Sequence, residues 1–389
     1  MSVRKIDAWH EAGLIDAQTR TNLLAYEAEH ARPLALWSVF GIGALAIGLG
    51  VVSVVAANWE EVPGQVRLGI HFALLAGLLF AVIWREDRLT QASPWAVEAM
   101  VCVAAALGLT FFGHLGQVYQ TSSPLWKPLA MWLALFGPVL LLCGRSWLAA
   151  TFVIGGAIYA VWEYHFTSTQ FLFGEARQSV PYVWLGALIA APVLFGPLGA
   201  FARNRSIRPD FWRRLEQLAL GYAVGGASIM TVMASLGAFD DEDLGILLAG
   251  SLAMQTAIGV GAGALVAWAR RSMSGLMSGA IFAGAGLTLL LARAVNNVDI
   301  AAAALFMALW AGIAAASLKS GWRAVFQLSV AVIAVRLIVL SFELASDLLL
   351  SGFGLILSGL LILGIAWGAY RVSRAFAPDG EDEPAEDAQ

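Results

Sequence analysis

WAVEAMVCVAAALGLTFFGHL, residues 95–115, carries one acid, Glu98, and one histidine, His114, among residues that are otherwise apolar or small. Wound as a helix, a segment of this length reaches about 30 Å, the thickness of a bilayer's hydrocarbon core. The same pattern recurs on both sides of it. Candidate spans lie at Leu34–Ala57, Val66–Trp84, Leu125–Cys143, Trp147–Trp162 and Pro181–Ala202. Beyond them come Leu215–Ala238, Leu244–Trp268, Met273–Ala292, Ile300–Leu318, Trp322–Leu340 and Ser351–Tyr370. Across the chain 59% of residues are hydrophobic and 13% charged, with a mean hydropathy of +0.75. A soluble domain carries about 25% charged residues. The runs lack the apolar–polar alternation of a membrane barrel, and a helix satisfies its backbone within the segment, as lipid demands. The expected fold is therefore all-α: a polytopic transmembrane helical bundle of about twelve spans.

The charges orient it. Cytoplasmic loops hold excess Lys and Arg because positive segments resist translocation. With both termini inside, 18 of the 23 Lys and Arg fall on inside segments, among them Arg85, Arg145, Arg203, Arg205, Arg208, Arg213, Arg214, Arg270 and Arg271. Only Arg67, Lys127, Arg177 and Arg293 border outside edges, and Arg336 lies within a span. Most tryptophans, including Trp84, Trp147, Trp184, Trp268 and Trp367, sit near span ends, where their amphipathic rings meet the headgroups. Trp132 and Trp310 sit well within spans. The first apolar run begins only at Leu34, after a polar stretch, so no cleavable leader is expected. The location expected is a bacterial inner membrane, crossed many times.

The organisation expected is a cytosolic helical hairpin over 1–33, a membrane half of six spans over 34–202, and an Arg-rich cytosolic loop over 203–214. A second half of six spans over 215–371 and an acidic, disordered tail over 372–389 follow. In the hairpin, Gly13 can end a first helix over Ile6–Ala12 and Asp16 can cap a second, with Leu23, Leu24 and Tyr26 as its apolar stripe. It either docks on a membrane or cytosolic protein partner or serves as a solubilising lead-in. No basic patch of the size nucleic acid needs is present. Cys102 and Cys143 lie in apolar runs with no metal-ligand spacing, so no metal or other cofactor is expected.

Certain residues resemble a bacterial family of predicted membrane proteins, domain of unknown function 2157. These are Trp9-His10-Glu11-Ala12-Gly13-Leu14-Ile15, Tyr26-Glu27, Ala56-Ala57-Asn58-Trp59 with Pro63, and Gly116-Gln117-Val118-Tyr119-Gln120-Thr121 with Leu125-Trp126. The resemblance covers roughly the first 150 residues and implies a membrane location; the family brings no established activity.

Ionisable groups within a bilayer are costly and mark candidate functional sites. In the inside-to-inside topology Arg336, Glu343, Arg293, His71, His114, Gln117 and Tyr119 fall in the outer half. They are the candidate ligand-binding residues of an extracytoplasmic polar cavity, in which Arg336 and Arg293 would favour an anion and Glu343 could neutralise Arg336. The competing reading is that each snorkels to headgroups or makes a helix–helix bond. Glu98 is expected at the cytosolic interface, Glu163 and His165 in a solvated loop beyond the fifth span, and Gln255 in a helix–helix hydrogen bond. Glycine pairs Gly221/Gly225, Gly259/Gly263, Gly275/Gly279 and Gly364/Gly368 read as packing positions. Gly41-Ile42-Gly43 lies in an apolar span without a preceding strand and is no dinucleotide fingerprint. No catalytic residues are assigned, and an enzyme is not the expectation. A transporter or permease-like protein leads, with Gly-interrupted spans such as Leu34–Ala57 able to unwind around a ligand. A membrane scaffold or envelope-assembly factor and a membrane-embedded lipid-modifying enzyme are the alternatives.

Overall fold

The structure, a computed structural model, describes residues 9–30, 62–92, 96–169, 182–240, 242–344 and 352–376, together with Ile6 and Ala46. The expected span at Leu34–Ala57, the border residues Asn58, Glu60, Glu61 and Arg177, and the acidic tail lie outside the described residues. The chain divides into two compact units, Met1–Gly69 and Ile70–Gln389.

In the first unit, Trp9–Glu11 form a helical turn closed by Gly13, whose φ of +70° is open only to a residue without Cβ strain. Leu14 N–H bonds Trp9 O at 2.9 Å, the six-to-one closure of a Schellman end. Asp16 Oδ1 then accepts from Thr19 N–H at 2.6 Å and caps α1, Ala17–His30. Hydrogen bonding from the Thr19 hydroxyl, and then from its N–H, holds the Asp16 carboxyl below its ordinary value.

Helix α2, Gly64–Ala92, crosses the division between the units and departs from helical geometry at Arg85. The second unit continues with α3 (Ala96–Tyr119), α4 (Trp126–Cys143), α5 (Trp147–Thr169) and α6 (Tyr182–Ala190). A 3-10 turn at Ala191–Leu194 joins α6 to α7 (Phe195–Arg203). Then come α8 (Pro209–Ser235), α9 (Glu242–Ala269), α10 (Met273–Ala294), α11 (Asp299–Lys319), α12 (Arg323–Leu344) and α13 (Gly352–Phe376). Among the described residues ten helical segments are long and apolar enough to cross a membrane, from Gly64–Arg85 through Arg323–Leu340. They coincide with the second to eleventh expected spans. Helix α13 runs where the twelfth was expected.

Hydrogen bonds gather the arginine-bearing loops at one end. Arg208 Nη1 and Nη2 donate to Gly144 O and Leu141 O at 2.5 and 2.9 Å. Arg214 donates to Arg145 O, and Asn204 Nδ2 to Ala269 O at 3.2 Å. Arg270 forms a buried ion pair with Glu216 at 2.7 Å. Burial draws the Arg208 pKa below its ordinary value, with Arg145 acting the same way, yet a guanidinium stays charged at any physiological pH. Helix α8 carries the chain about 40 Å from this cluster. At its far end Asn297 N–H bonds Ala234 O at 2.8 Å and Asn296 Oδ1 accepts from Phe239 N–H at 3.3 Å. The loops flanking α8, α9 and α10 thus alternate between two ends of the bundle.

Helix α9 packs most closely along α10. Glycine permits it: a Cβ on Gly259 would lie 2.9 Å from Gly286 Cα, and one on Gly279 2.5 Å from Gly263 O. Gly221, Gly225, Gly364 and Gly368 face open space instead, so of the expected packing glycines only those of the α9–α10 crossing meet a neighbouring helix this closely. Trp132 is buried, with Nε1–H donating to Ala105 O at 2.7 Å across α3 and α4, while Trp84, Trp147, Trp184, Trp268 and Trp367 are exposed near helix ends.

Candidate functional site

The expected outer-half residues fall in the half of the bundle away from the arginine loops, but on separate elements. His71 Nε2 on α2 lies 3.0 Å from Leu107 O, and the ring lies 5.8 Å from that of His114 and 5.3 Å from Phe111. The leucine carbonyl can only accept, so His71 Nε2 carries the proton in that bond. His114 is buried, whereas Gln117 and Tyr119 on the same helix are exposed. Tyr119 and Gln120 close α3: Thr121 N–H bonds Gly116 O at 3.0 Å, with Gln120 left-handed at φ 49°. Arg293 is exposed at the end of α10. Arg336 is buried at 5% exposure on α12, thirteen residues or about 20 Å from that helix's start. Glu343 belongs to α12, and its side chain lies outside the described residues.

A partly open, largely apolar cavity lies elsewhere, between α5, α6, α8, α9 and α10 within the second unit, with Ile189, Val193, Met230 and Leu289 on its wall beside a few polar side chains. Beside it the sixth span changes from α to 3-10 winding over Ala191–Leu194, with Ala190 and Phe195 still in the right-handed helical region. Pro192 has no N–H to give the helix ladder and its ring clashes with the carbonyl four residues back, so α6 ends and the chain tightens into a 3-10 turn before α7. Beside this turn, Tyr222 on α8 donates its hydroxyl to Ile189 O at 2.8 Å. The same hydroxyl accepts Trp162 Nε1–H from α5 at 3.0 Å. His165 stands edge-on to Trp162, ring centroids 5.7 Å apart. Across the cavity Gln255 Nε2 donates to Ser251 Oγ at 2.8 Å along α9. The space is about 70 Å³, room for about two waters. Aromatic rings, amide and hydroxyls line it, and among the described residues no carboxylate, lysine or arginine does.

Two sequence expectations change here, those for His165 and Gln255. His165 was expected in a solvated loop; α5 continues to Thr169, and His165 is 3% exposed. Tyr164 and Phe166 supply the apolar surface that lets the helix run on past Glu163. Gln255 was expected to bridge helices, but its amide bonds one turn back on its own helix and turns the other side of the pair to the cavity. Glu98 lies in the first turn of α3 at the arginine end, in keeping with the interfacial depth expected of it, but it is buried. It is 4% exposed, and its Oε1 accepts from Arg145 N–H at 2.9 Å and Ser146 N–H at 2.6 Å. It thereby caps α5 from another helix, placing an anion at the positive end of the dipole. An apolar lateral groove of about 430 Å³ between α3 and α5, lined by Cys102, Val103 and Phe152, ends on this carboxylate. Among the described residues no three His, Cys, Asp or Glu side chains are grouped to hold a metal.

Ten apolar helices, one of them passing through a 3-10 turn beside buried polar side chains, define a polytopic helical membrane protein. Residues 7–149 match the family model described as Predicted membrane protein (DUF2157), the family that the motifs between Trp9 and Trp126 resemble. No curated protein and no solved structure matches the chain. The cavity residues, Trp162 to Leu289, all lie beyond the matched segment.

Proposed function

We propose that the protein is a transporter- or permease-like protein of a bacterial inner membrane, with the cavity beside the 3-10 turn of the sixth span as its solute site. The carrying observation is the coincidence of that turn with buried hydrogen-bonding groups from α5, α8 and α9. A 3-10 turn within a span can mark a hinge, and irregular winding at bilayer depth is tolerated where it lines a cavity. The lining favours a small uncharged hydrogen-bonding solute, because no fixed charge is present to balance an ion. Arg336, Glu343, Arg293, His71, His114, Gln117 and Tyr119 remain candidates for an outer binding layer on the extracytoplasmic route to it.

Gly226 tests this reading, since it lines the cavity and a Cβ there meets nothing within 4 Å. Gly226→Cys, in a background carrying Cys102→Ala and Cys143→Ala, is exposed to a small neutral, water-soluble thiol reagent added on either side of the membrane. Modification from at least one side is expected. A thiol unreactive from both sides, while a loop cysteine reacts, would make the bundle a closed scaffold.

A further inference from the structure

From a different surface, and independently of transport, we infer that the arginine-bearing ends of α7 and α9 form a binding site for one anionic phospholipid. The two helices run parallel toward the arginine end and pack together. Leu194, Leu198 and Phe201 on the sixth span are exposed, at spacings of four and three residues. Gly261, Leu265 and Trp268 on α9 are exposed at the same spacings. Equal spacing on parallel helices yields two matching stripes, and the small Gly261 leaves the channel between them open: a Cβ there meets nothing within 4 Å.

The stripes close in a ring pair. Phe201 and Trp268 stack with centroids 6.4 Å apart and an interplanar angle of 17°. Directly beyond, the Arg205 guanidinium sits 3.7 Å from the Phe201 ring, fixed by that cation–π contact and a bond from Nη1 to Phe201 O at 3.4 Å. Asn204 ties the two helix ends together through Ala269 O. The exposed Arg271 follows two residues after Ala269, the residue that Asn204 ties to the end of α7. Neither Arg203–Arg208 nor Ala269–Met273 contains an acid. The arrangement matches a lipid in order of depth: acyl chain on the stripes, glycerol level at the stacked rings, phosphate between two guanidiniums. A free phosphate would use the guanidiniums and gain nothing from the apolar stripes, so the occupant is the lipid.

The test is native mass spectrometry of the full chain in detergent, titrated separately with phosphatidylglycerol, phosphatidylcholine and inorganic phosphate. Phosphatidylglycerol is expected to bind about thirtyfold more tightly than phosphatidylcholine, as two arginines at about 1 kcal/mol each imply. Arg205→Ala and Arg271→Ala each weaken it about fivefold, and the pair together about thirtyfold. Arg371→Ala removes a guanidinium 5.0 Å from the Trp367 ring on a single helix and is expected to leave affinity unchanged. Equal affinity for the two lipids in the unsubstituted chain would overturn the proposal whatever the variants do. So would phosphatidylglycerol binding that survives the double substitution, or displacement of the lipid by millimolar phosphate, which would mark a free-phosphate site.

Discussion

Gly279→Ala should loosen the bundle at its tightest crossing. The added Cβ would sit 2.5 Å from Gly263 O, 2.9 Å from Ala267 Cβ and 3.2 Å from Ala267 N, all on α9. Two of these three atoms belong to helix backbone and the third is a Cβ, so no side chain can turn aside. Reaching an ordinary contact requires the two helices to part by about 1 Å, which forfeits a quarter to a half of the dispersion attraction along the seam. The Thr256 Oγ1 bond to Gly286 O, 3.0 Å across the same crossing, stretches with it. Overpacking of this kind costs about 1–3 kcal/mol, and the better helix propensity of alanine returns at most about 1 kcal/mol. The net expectation is a loss of about 1–2 kcal/mol. Gly225→Ala is the control: its Cβ meets nothing within 4 Å, so only the propensity gain remains. Equilibrium unfolding in mixed micelles, with dodecyl sulfate as denaturant, reads both. Opposite signs are expected. A Gly279→Ala protein as stable as Gly225→Ala would refute the close approach of α9 and α10, and with it the wall that Gly259 and Gly286 give the cavity.

Glu98→Ala strips two backbone amides at the start of α5 of their acceptor and should cost about 2–4 kcal/mol in the same assay, with Glu98→Gln much milder because an amide oxygen still accepts. Gln120→Gly should stabilise the protein by about 1 kcal/mol, since it relieves a left-handed residue at the end of α3; a loss would mean that the glutamine side chain holds the turn. The Asp16 carboxyl has a folded pKa below its ordinary value of 3.8, so its cap contributes fully above that value and is lost as pH falls through the lower one. The Thr19 amide resonance of the full chain should therefore titrate below pH 3.8, and a midpoint above it would contradict the cap.

Runs such as Trp95–Leu115 announce their helices because hydrocarbon admits no other open solution to backbone hydrogen bonding, and the arginines announce the shared end of their loops. The carboxylate and arginine partners at that end were not legible: which carbonyl Arg208 reaches depends on how α4 and α8 pack, and a single sequence does not encode that in its spacing. The end of the fifth span was misplaced because Glu163 and His165 look like loop residues, although the aromatic neighbours Tyr164 and Phe166 were a visible signal that the helix continues. Pro192 and Pro197 were a signal of the irregular winding in the sixth span, hidden by the apolar run around them. Glycine periodicity gave four candidate pairs but not the face that each presents, so Gly263 and Gly279 could not be told from Gly221 and Gly225. The pairing of His71 with His114 follows from antiparallel neighbours, whereas Trp162, Tyr222 and Gln255 meet only through the tertiary arrangement of three helices.

The proposed solute and lipid sites take their sidedness from an expected cytosolic position of the loops that carry Arg145, Arg203 to Arg214, and Arg270 with Arg271. Ile207, 93% exposed in the loop between α7 and α8, and Leu236, exposed just beyond α8 at the other end, report on that directly. Each is replaced by cysteine in the background that carries Cys102→Ala and Cys143→Ala, and a membrane-impermeant maleimide is added to intact spheroplasts and to inverted vesicles. Labelling of Ile207→Cys in inverted vesicles alone and of Leu236→Cys in spheroplasts alone is the predicted result. Labelling of Ile207→Cys in intact spheroplasts would contradict the threading.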